Sequence, residues 1–260
     1  MSDSYAVVIP YFNEIDYLGR TIRSWLDQTR LPEQLILVDN ASTDGSEALC
    51  RQLLADCHDI EVVYAQQPQP GRVHALDLGS QYVRCDVVAF CDADTYYPPH
   101  YLQLCASVFE SAPSNVVAVM AKDIYHEPER LAGRLNRWGY YLLSRVLTAH
   151  TFTGGCGQTL RTDALRRSGG YSTALWDYTM EDHELMCRIF KVGRSLYHPN
   201  LWCQPSQRRT TRSATHWSLY ERAVYFLTQP FCGDWYFEKF LAPRFARRQM
   251  YQAKLRERAW

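Results

Sequence analysis

The chain has 260 residues with 28 Lys plus Arg and 28 Asp plus Glu, so its formal net charge is zero and charge alone does not point to nucleic acid. That length allows one large domain or two small ones, and a hydrophobic content of 47% supports a sizeable core. No run approaches the roughly 18 apolar residues of a membrane span, and "MSDSYAVVIP" lacks the basic start of a signal peptide, so a cytoplasmic location is expected.

In chain order, Tyr5–Pro10 (YAVVIP) reads as a short strand. Ile15, Leu18, Ile22, Trp25 and Leu26 then recur at helical spacing. Gln34–Asn40 is a second strand, and Ser46–Asp56 a helix with Asp44 or Ser46 as its cap. Ile60–Ala65 reads as strand, Gly71–Val83 as helix, and "DVVAFCD" as strand. "PPHYLQLCASVFES" follows as a helix with Pro in its first turn. Strands alternating with helices of this length imply right-handed βαβ units and a mostly parallel sheet flanked by helices. Val116–Asp123 is expected to be a strand and Pro128–Thr148 a helix carrying basic and aromatic residues. A Gly-rich run, Thr151–Arg161, precedes a helix over Met180–Gly193 with acidic residues in its first turn. The last sixty residues mix Arg with Trp, Tyr and Phe, and no linker separates two domains.

Three strand ends carry polar residues: Pro10-Tyr11-Phe12-Asn13-Glu14, Asp39-Asn40-Ala41-Ser42 and Asp92-Ala93-Asp94. In open parallel sheets, ligands sit beyond the carboxyl ends of the strands. Two carboxylates one residue apart repel unless something positive lies between them. A hard divalent ion, Mn²⁺ or Mg²⁺, whose shell is completed by substrate phosphates, suits such a pair. A solvated turn with two Asp is the other reading. No Walker A lysine motif occurs, and no G-x-G-x-x-G follows the first strand, which disfavours an NTPase or a dehydrogenase. Nine cysteines, none in a Cys-x-x-Cys pair, point to a reducing compartment without a disulfide framework or zinc site. The charge is uneven: residues 204–260 hold 11 Lys/Arg against 4 Asp/Glu, a net of +7, which leaves −7 on residues 1–203. A basic tail on an acidic body invites contact with phosphates or an anionic surface, or with the body itself.

Six segments together resemble the family 2 glycosyltransferases of GT-A fold: "VVIPYFNE", "LVDNASTDGS", "GRVHALDLG", "VVAFCDAD", "GGCGQTLRTDAL" and "MEDHELMCRIFKVG". Their order and spacing agree over roughly residues 5–200, and the last sixty residues lie largely outside the likeness. The resemblance implies a GT-A catalytic domain over 1–203 with a basic, aromatic-rich extension, 204–260, packed on it. It also implies an inverting, metal-dependent hexosyl transfer from a nucleotide-diphosphate sugar, most readily a UDP-sugar, to an acceptor hydroxyl. In these terms Pro10, Tyr11, Asn13 and Glu14 look like the first nucleotide loop, Asp39 the contact to the base, and Ser42 a member of the second loop. Arg72 stands where a basic residue approaches the nucleotide. Asp92 and the intervening Ala93 resemble the ribose or metal contact, and Asp94 the direct metal ligand. Asp182 matches the general base, with Glu181 as its supporting carboxylate. His198 is the first candidate for a further metal ligand and His216 the second. Arg208 and Arg209 fall in a basic segment that in relatives closes over the diphosphate, for which the forked guanidinium is suited.

The residues depart from the family pattern at Asp77, where relatives carry Asn, and at His74 and Leu76 beside it. Trp138, Trp176, Tyr178 and Trp202 are candidates to stack on a sugar ring, with core packing the competing role. The Gly154-Gly155 pair either lets backbone approach the donor sugar or forms a turn. The acceptor is expected to be a glycan or lipid-linked glycan, with peripheral membrane contact through the C-terminal region. A protein or a hydroxylated nucleic-acid base as acceptor, and a noncatalytic sugar-nucleotide module, are the alternatives.

Overall fold

Every residue of β1 (Tyr5–Tyr11) and of β2 (Gln34–Asp39) is buried. Strands covered on both faces read as continuous apolar runs rather than alternations, and these two do. With β3 (Glu61–Gln66) and β4 (Val87–Phe90) they pair in parallel in the order β3-β2-β1-β4. The computed structural model describes residues 2–125, 131–146, 154–208 and 217–256. Three helices connect the parallel strands: α1 (Ile15–Leu26), α2 (Ser46–Leu53) and α3 (Arg72–Gln81). Leu18, Ile22 and Trp25 are the apolar stripe that α1 buries. α3 lies so near the sheet that a Cβ on Gly79 would stand 2.5 Å from Val8 Cγ1 and 3.0 Å from Val38 Cγ2.

Past β4 the sheet turns mixed. Its order continues β4-β7-β6-β8-β5, with β5 (Thr95–Tyr96), β6 (Val116–Asp123), β7 (Gln158–Arg161) and β8 (Arg194–Pro205). β7 is antiparallel to both β4 and β6, β8 runs parallel to β6, and the short β5 closes the edge antiparallel to β8. The expected α/β architecture, mostly parallel and flanked by helices, is what forms. The sequence patterns did not announce β7 and β8. β7 hides in a Gly-rich run. β8 carries His198-Pro199-Asn200 in its middle, where the register jumps from Met120↔Tyr197 to Lys122↔Trp202 and the intervening residues bulge out. The helix before β6 is α4 (Tyr101–Ser111); Pro98 and Pro99 precede it rather than entering its first turn, and the Pro98 carbonyl accepts from the Tyr101 N–H at 2.9 Å.

The remaining helices are α5 (Leu131–Val146), α6 (Thr162–Arg167), α7 (Glu181–Ile189), α8 (Leu219–Asp234), α9 (Ala242–Arg247) and α10 (Gln252–Arg256), with a π-helical stretch Trp235–Leu241 between α8 and α9. Two core clusters result. One gathers Trp25, Tyr97, Tyr101 and Phe109, with α1 and α4. The other joins Val8, Phe90, Tyr171 and Trp176 to Tyr225, Tyr236, Phe237, Phe245 and Met250. The C-terminal region thus contributes aromatics to the same core as the sheet. Trp176 is spent there, edge-on to Phe237 at 5.1 Å, and not on an open surface. Among the described residues no helix is long and apolar enough to cross a membrane.

Candidate active site

The loops after β1, β2 and β4 leave the same end of the parallel strands and line a cavity of about 610 Å³. The first two are laced together by short polar side chains. Asn13 adopts a left-handed backbone (φ 51°), which Asn tolerates better than most residues. Its N–H donates to Ser42 Oγ at 3.1 Å, and its Oδ1 accepts the Thr43 N–H at 2.8 Å. Asp39 Oδ1 accepts the Ser42 N–H at 2.9 Å, and Asp44 receives the N–H of Ile15 at one oxygen and of Ser46 at the other, both at 3.0 Å. Asp44 thereby satisfies an orphan donor at the start of α1 as well as at α2. Pro10, Tyr11, Asn13 and Glu14 line the cavity; Asp39 and Ser42 are not among its lining residues, and the hydrogen bond between them shapes the loop.

Asn40 organises a third segment. Its Nδ2 donates to the carbonyls of Gln67 and Gln69 at 2.9 and 2.7 Å, and its Oδ1 accepts the Gly71 N–H at 2.9 Å. Gly71 has φ 132°, a conformation for which glycine is suited, and the next residue is Arg72. The Arg72 guanidinium bridges two carboxylates, Asp92 on one side and Glu181 on the other. Burial opposes its charge, but Asp92 and then Glu181 outweigh that and hold Arg72 above the ordinary arginine range. Burial in turn pushes the Glu181 carboxyl up; Arg72 offsets part of the rise and the nearby Asp182 adds to it.

Asp94 has its own cation. Its Oδ2 accepts from Ser206 Oγ at 2.7 Å and from Arg208 Nε at 3.0 Å, while Arg208 Nη2 donates to both oxygens of Glu14 at 2.5 and 2.6 Å. The mutual repulsion of Asp92 and Asp94 is therefore relieved by two arginines, one on each carboxylate. Among the described residues no three His, Cys, Asp or Glu side chains converge to hold a metal ion. Asp92 and Asp94 still offer hard oxygen donors at a cavity wall, the chemistry that suits Mn²⁺ or Mg²⁺ shared with a diphosphate. Ala93, between them, lines the cavity and accepts the Thr21 hydroxyl at its carbonyl, 2.8 Å.

Opposite stands α7. Met180, just before it, has φ 65°, strained for a non-glycine residue, and this turn aims Glu181 and Asp182 into the cavity. Asp182 Oδ2 accepts the Gly155 N–H at 2.7 Å and Oδ1 the His183 N–H at 2.8 Å. The two adjacent glycines acquire a specific reason here. A Cβ on Gly154 would lie 3.3 Å from Asp182 Oδ2, and one on Gly155 only 2.7 Å from Arg72 Nη2. Glycine lets this backbone touch both the carboxylate and the guanidinium.

The fourth wall comes from the C-terminal region: Trp217, Arg222, Phe245, Met250 and Gln252 line the cavity. Gln252 Nε2 donates to Glu181 Oε2 at 2.7 Å. His183 also lines it, within 3.4 Å of the Tyr225 hydroxyl and edge-on to Trp217; burial lowers its pKa, with Asp182 opposing. His183, Trp217, Arg222 and Gln252 were not singled out by motif, and Asn40 was named only as part of a polar strand end. Trp217 and Arg222 sit in a stretch whose aromatic and basic mixture was the available signal. His198 is half-buried in the β8 bulge, where its Nδ1 accepts the Asn200 N–H at 3.2 Å, and it is not among the lining residues. Arg209 and His216 lie outside the described residues. Trp138, Trp176, Tyr178 and Trp202 do not line the cavity; Tyr178 packs at a tilt against Tyr251 and Trp202 against Tyr96.

Residues 6–169 match the family described as Glycosyl transferase family 2. Among curated relatives, the chain is similar to an uncharacterized glycosyltransferase of Nostoc sp., 37% identical over 116 residues that cover 44% of this chain and 35% of that protein. It is also similar to a minor teichoic acid biosynthesis protein of Bacillus subtilis, 27% identical over 169 residues, 62% of this chain and 18% of the relative. The match thus spans about a third or less of these relatives' length. Two solved structures share the GT-A fold. A mannosyltransferase from Pyrobaculum calidifontis in complex with GDP-Man and Mn²⁺ superposes with a TM-score of 0.65 at 20% identity, covering 90% of this chain and 64% of that one. S. aureus TarS in complex with UDP-GlcNAc superposes at 0.62 and 16% identity, covering 94% and 73%.

Proposed function

The chain belongs to glycosyl transferase family 2, and on that premise we propose that it transfers a sugar with inversion from a nucleotide-diphosphate donor, a UDP-sugar foremost, to a hydroxyl of a glycan or lipid-linked glycan. The carrying observation is that Asp182 shares one cavity with Arg72, Asp92 and Asp94. Sugar transfer needs a stabilised leaving group and a base for the acceptor proton. Asp182 is the base. Two backbone N–H groups, of Gly155 and His183, fix its carboxylate in the first turn of α7. As the acceptor oxygen bonds to the anomeric carbon, its proton passes to Asp182, and the bond to the nucleotide diphosphate breaks on the opposite face. A single displacement of this kind inverts the anomeric centre.

Glu181 acts through Arg72, which it helps to hold against Asp92 beside the departing diphosphate. Arg208, already turned inward to Asp94 and Glu14, is a second cation for the same charge; Arg209 is its neighbour in sequence. Asp92 and Asp94 would hold Mn²⁺ or Mg²⁺, and such an ion when bound neutralises the diphosphate. The proposed protein ligands are these two carboxylates, since His198 stands off the cavity wall. Pro10, Tyr11, Asn13, Glu14 and Ala93 form the nucleotide side, with Asp39 proposed to contact the base and Ser42 to belong to the same loop. Residues 1–203 are proposed as the catalytic domain and 204–260 as an extension that completes the acceptor side. The curated relative named for teichoic acid synthesis supports a glycan acceptor.

The test is a thermal-shift series with nucleotide sugars, with and without Mn²⁺. A ligand at a hundred times its Kd adds about 2.7 kcal/mol to native stability. A UDP-sugar is expected to raise Tm, and Asp182→Asn is expected to keep that shift while losing transfer. A chain whose Tm no nucleotide sugar moves would overturn the proposal.

A further inference from the structure

α5 is mounted inside out. Its inner side carries Arg137, Tyr140, Tyr141 and Ser144; Arg137 and Ser144 are buried, and Arg137 Nε donates to the Pro199 carbonyl at 3.1 Å. Its outer side carries Leu131, Leu135, Trp138 and Leu142, spaced i, i+4, i+7 and i+11, with Leu143 and Val146 beside them. All six are exposed, from 45% at Leu143 to 80% at Val146. A helix meant to face water does the reverse. α8 repeats the pattern with Leu219, Tyr220, Phe226, Leu227 and Phe231, and Trp235 follows it; Leu227 is 76% and Phe231 87% exposed. Among the described residues, twelve of the sixteen large apolar side chains left exposed belong to these two helices and Trp235. Apolar surface concentrated in this way marks a site of contact.

Charge decides what the contact is. α5 contains no Asp or Glu, and its exposed charges are Arg134 and Arg145. On α8 the exposed charges are Arg222 and Asp234, and Lys191 already neutralises Asp234 at 2.5 Å. The surface is therefore apolar with a cationic fringe. A second copy laid on it would oppose arginine to arginine. An anionic bilayer answers both properties, taking the leucines and aromatics into the acyl boundary and the arginines among its headgroups. α5 has 16 residues, about 24 Å, and α8 is kinked at Cys232, so each is too short to cross a membrane and would lie along one.

Both helices pack their inner side chains on the same core cluster, through Tyr140 and Tyr141 on α5 and Tyr225 on α8. Arg222 of α8 and the adjoining Trp217 line the cavity. We propose that the outer faces of α5 and α8 form a peripheral docking surface for an anionic phospholipid bilayer, placing the cavity where a lipid-anchored acceptor is presented. Vesicle binding needs neither donor nor acceptor, so this proposal stands or falls apart from the transferase reading.

The experiment is flotation of the intact chain with vesicles of phosphatidylcholine alone or mixed with phosphatidylglycerol. Binding is expected to the mixed vesicles, weaker to the neutral ones and weakened by salt. Two surface variants, Leu135→Glu with Leu142→Glu and Leu227→Glu with Phe231→Glu, are expected to lower binding about tenfold or more for each apolar side chain withdrawn. Their melting points should match the parent, which shows that they fold. Flotation with neither vesicle, or variants that float like the parent, would overturn the proposal. So would light scattering that finds a dimer dissolved by the same variants while vesicles go unbound, since the occupant would then be a second copy.

Discussion

Arg72 holds two buried carboxylates that would otherwise repel each other, and Arg72→Gln removes the charge while keeping much of the volume. The side chains of Asp92 and Glu181 are each only 9% exposed, and that of Arg72 is 28% exposed. Removing one partner from a buried ionic cluster costs about 3–5 kcal/mol, and with Arg72 partly wetted the low end applies, about 3 kcal/mol near pH 7.5. The variant has one escape, which is to protonate Glu181, whose pKa burial already raises. A carboxyl with its folded pKa above the unfolded value binds more protons folded than unfolded between the two. Stability therefore falls as pH rises through that window, which opens upward from about 4.5. The loss measured by urea unfolding should be smallest near pH 5 and grow toward pH 7.5. A deficit under about 1 kcal/mol at pH 7.5, or one that does not change with pH, would refute the reasoning.

Other outcomes follow from the same geometry. Gly155→Ala drives a Cβ to within 2.7 Å of Arg72 Nη2; loss of one of its charged hydrogen bonds is worth about 1.5–3 kcal/mol, so donor turnover should fall about ten- to a hundredfold and stability in urea unfolding should fall by up to the same amount. Asp182→Asn should lower transfer by about 10²–10⁴ with donor affinity kept, read by separate binding and turnover assays. Gly79→Ala crowds Val8 and Val38 and should cost about 1–3 kcal/mol in urea unfolding without touching the cavity. His183, lowered chiefly by burial, is neutral in the fold, so the unfolded chain binds more protons below about pH 6.5 and stability is lost as pH falls through that range. His183→Gln should flatten that part of the Tm profile between pH 7.5 and 5.5.

Much of the first half of the fold was legible because its elements obey local rules. β1, β2 and β4 are unbroken apolar runs, and α1 places its buried residues at helical spacing. β8 was not legible: Pro199 and two polar neighbours interrupt it, and only pairing to β6 across the bulge makes it a strand. At the site, the Asp92, Asp94, Glu181 and Asp182 positions were found by motif, and all four line the cavity. What motif could not supply was the pairing. That Arg72 bridges Asp92 to Glu181 depends on contacts separated by 20 and 109 positions in the chain. The carboxylate pair was read as suiting a divalent ion, with a solvated turn as the other reading; the guanidinium that stands on each carboxylate belonged to neither. His198 drew notice as a histidine downstream of the acidic helix, but it sits in the β8 bulge and is not among the residues that line the cavity.

The clasp between Gln252 and Glu181 joins residues 71 positions apart, and Gln252 belongs to α10. The carboxylate that steadies Arg72 is thus itself steadied by a side chain supplied far downstream of the sheet and the aspartate tip. Molecules clipped before α10 would keep the sheet while Glu181 loses this partner.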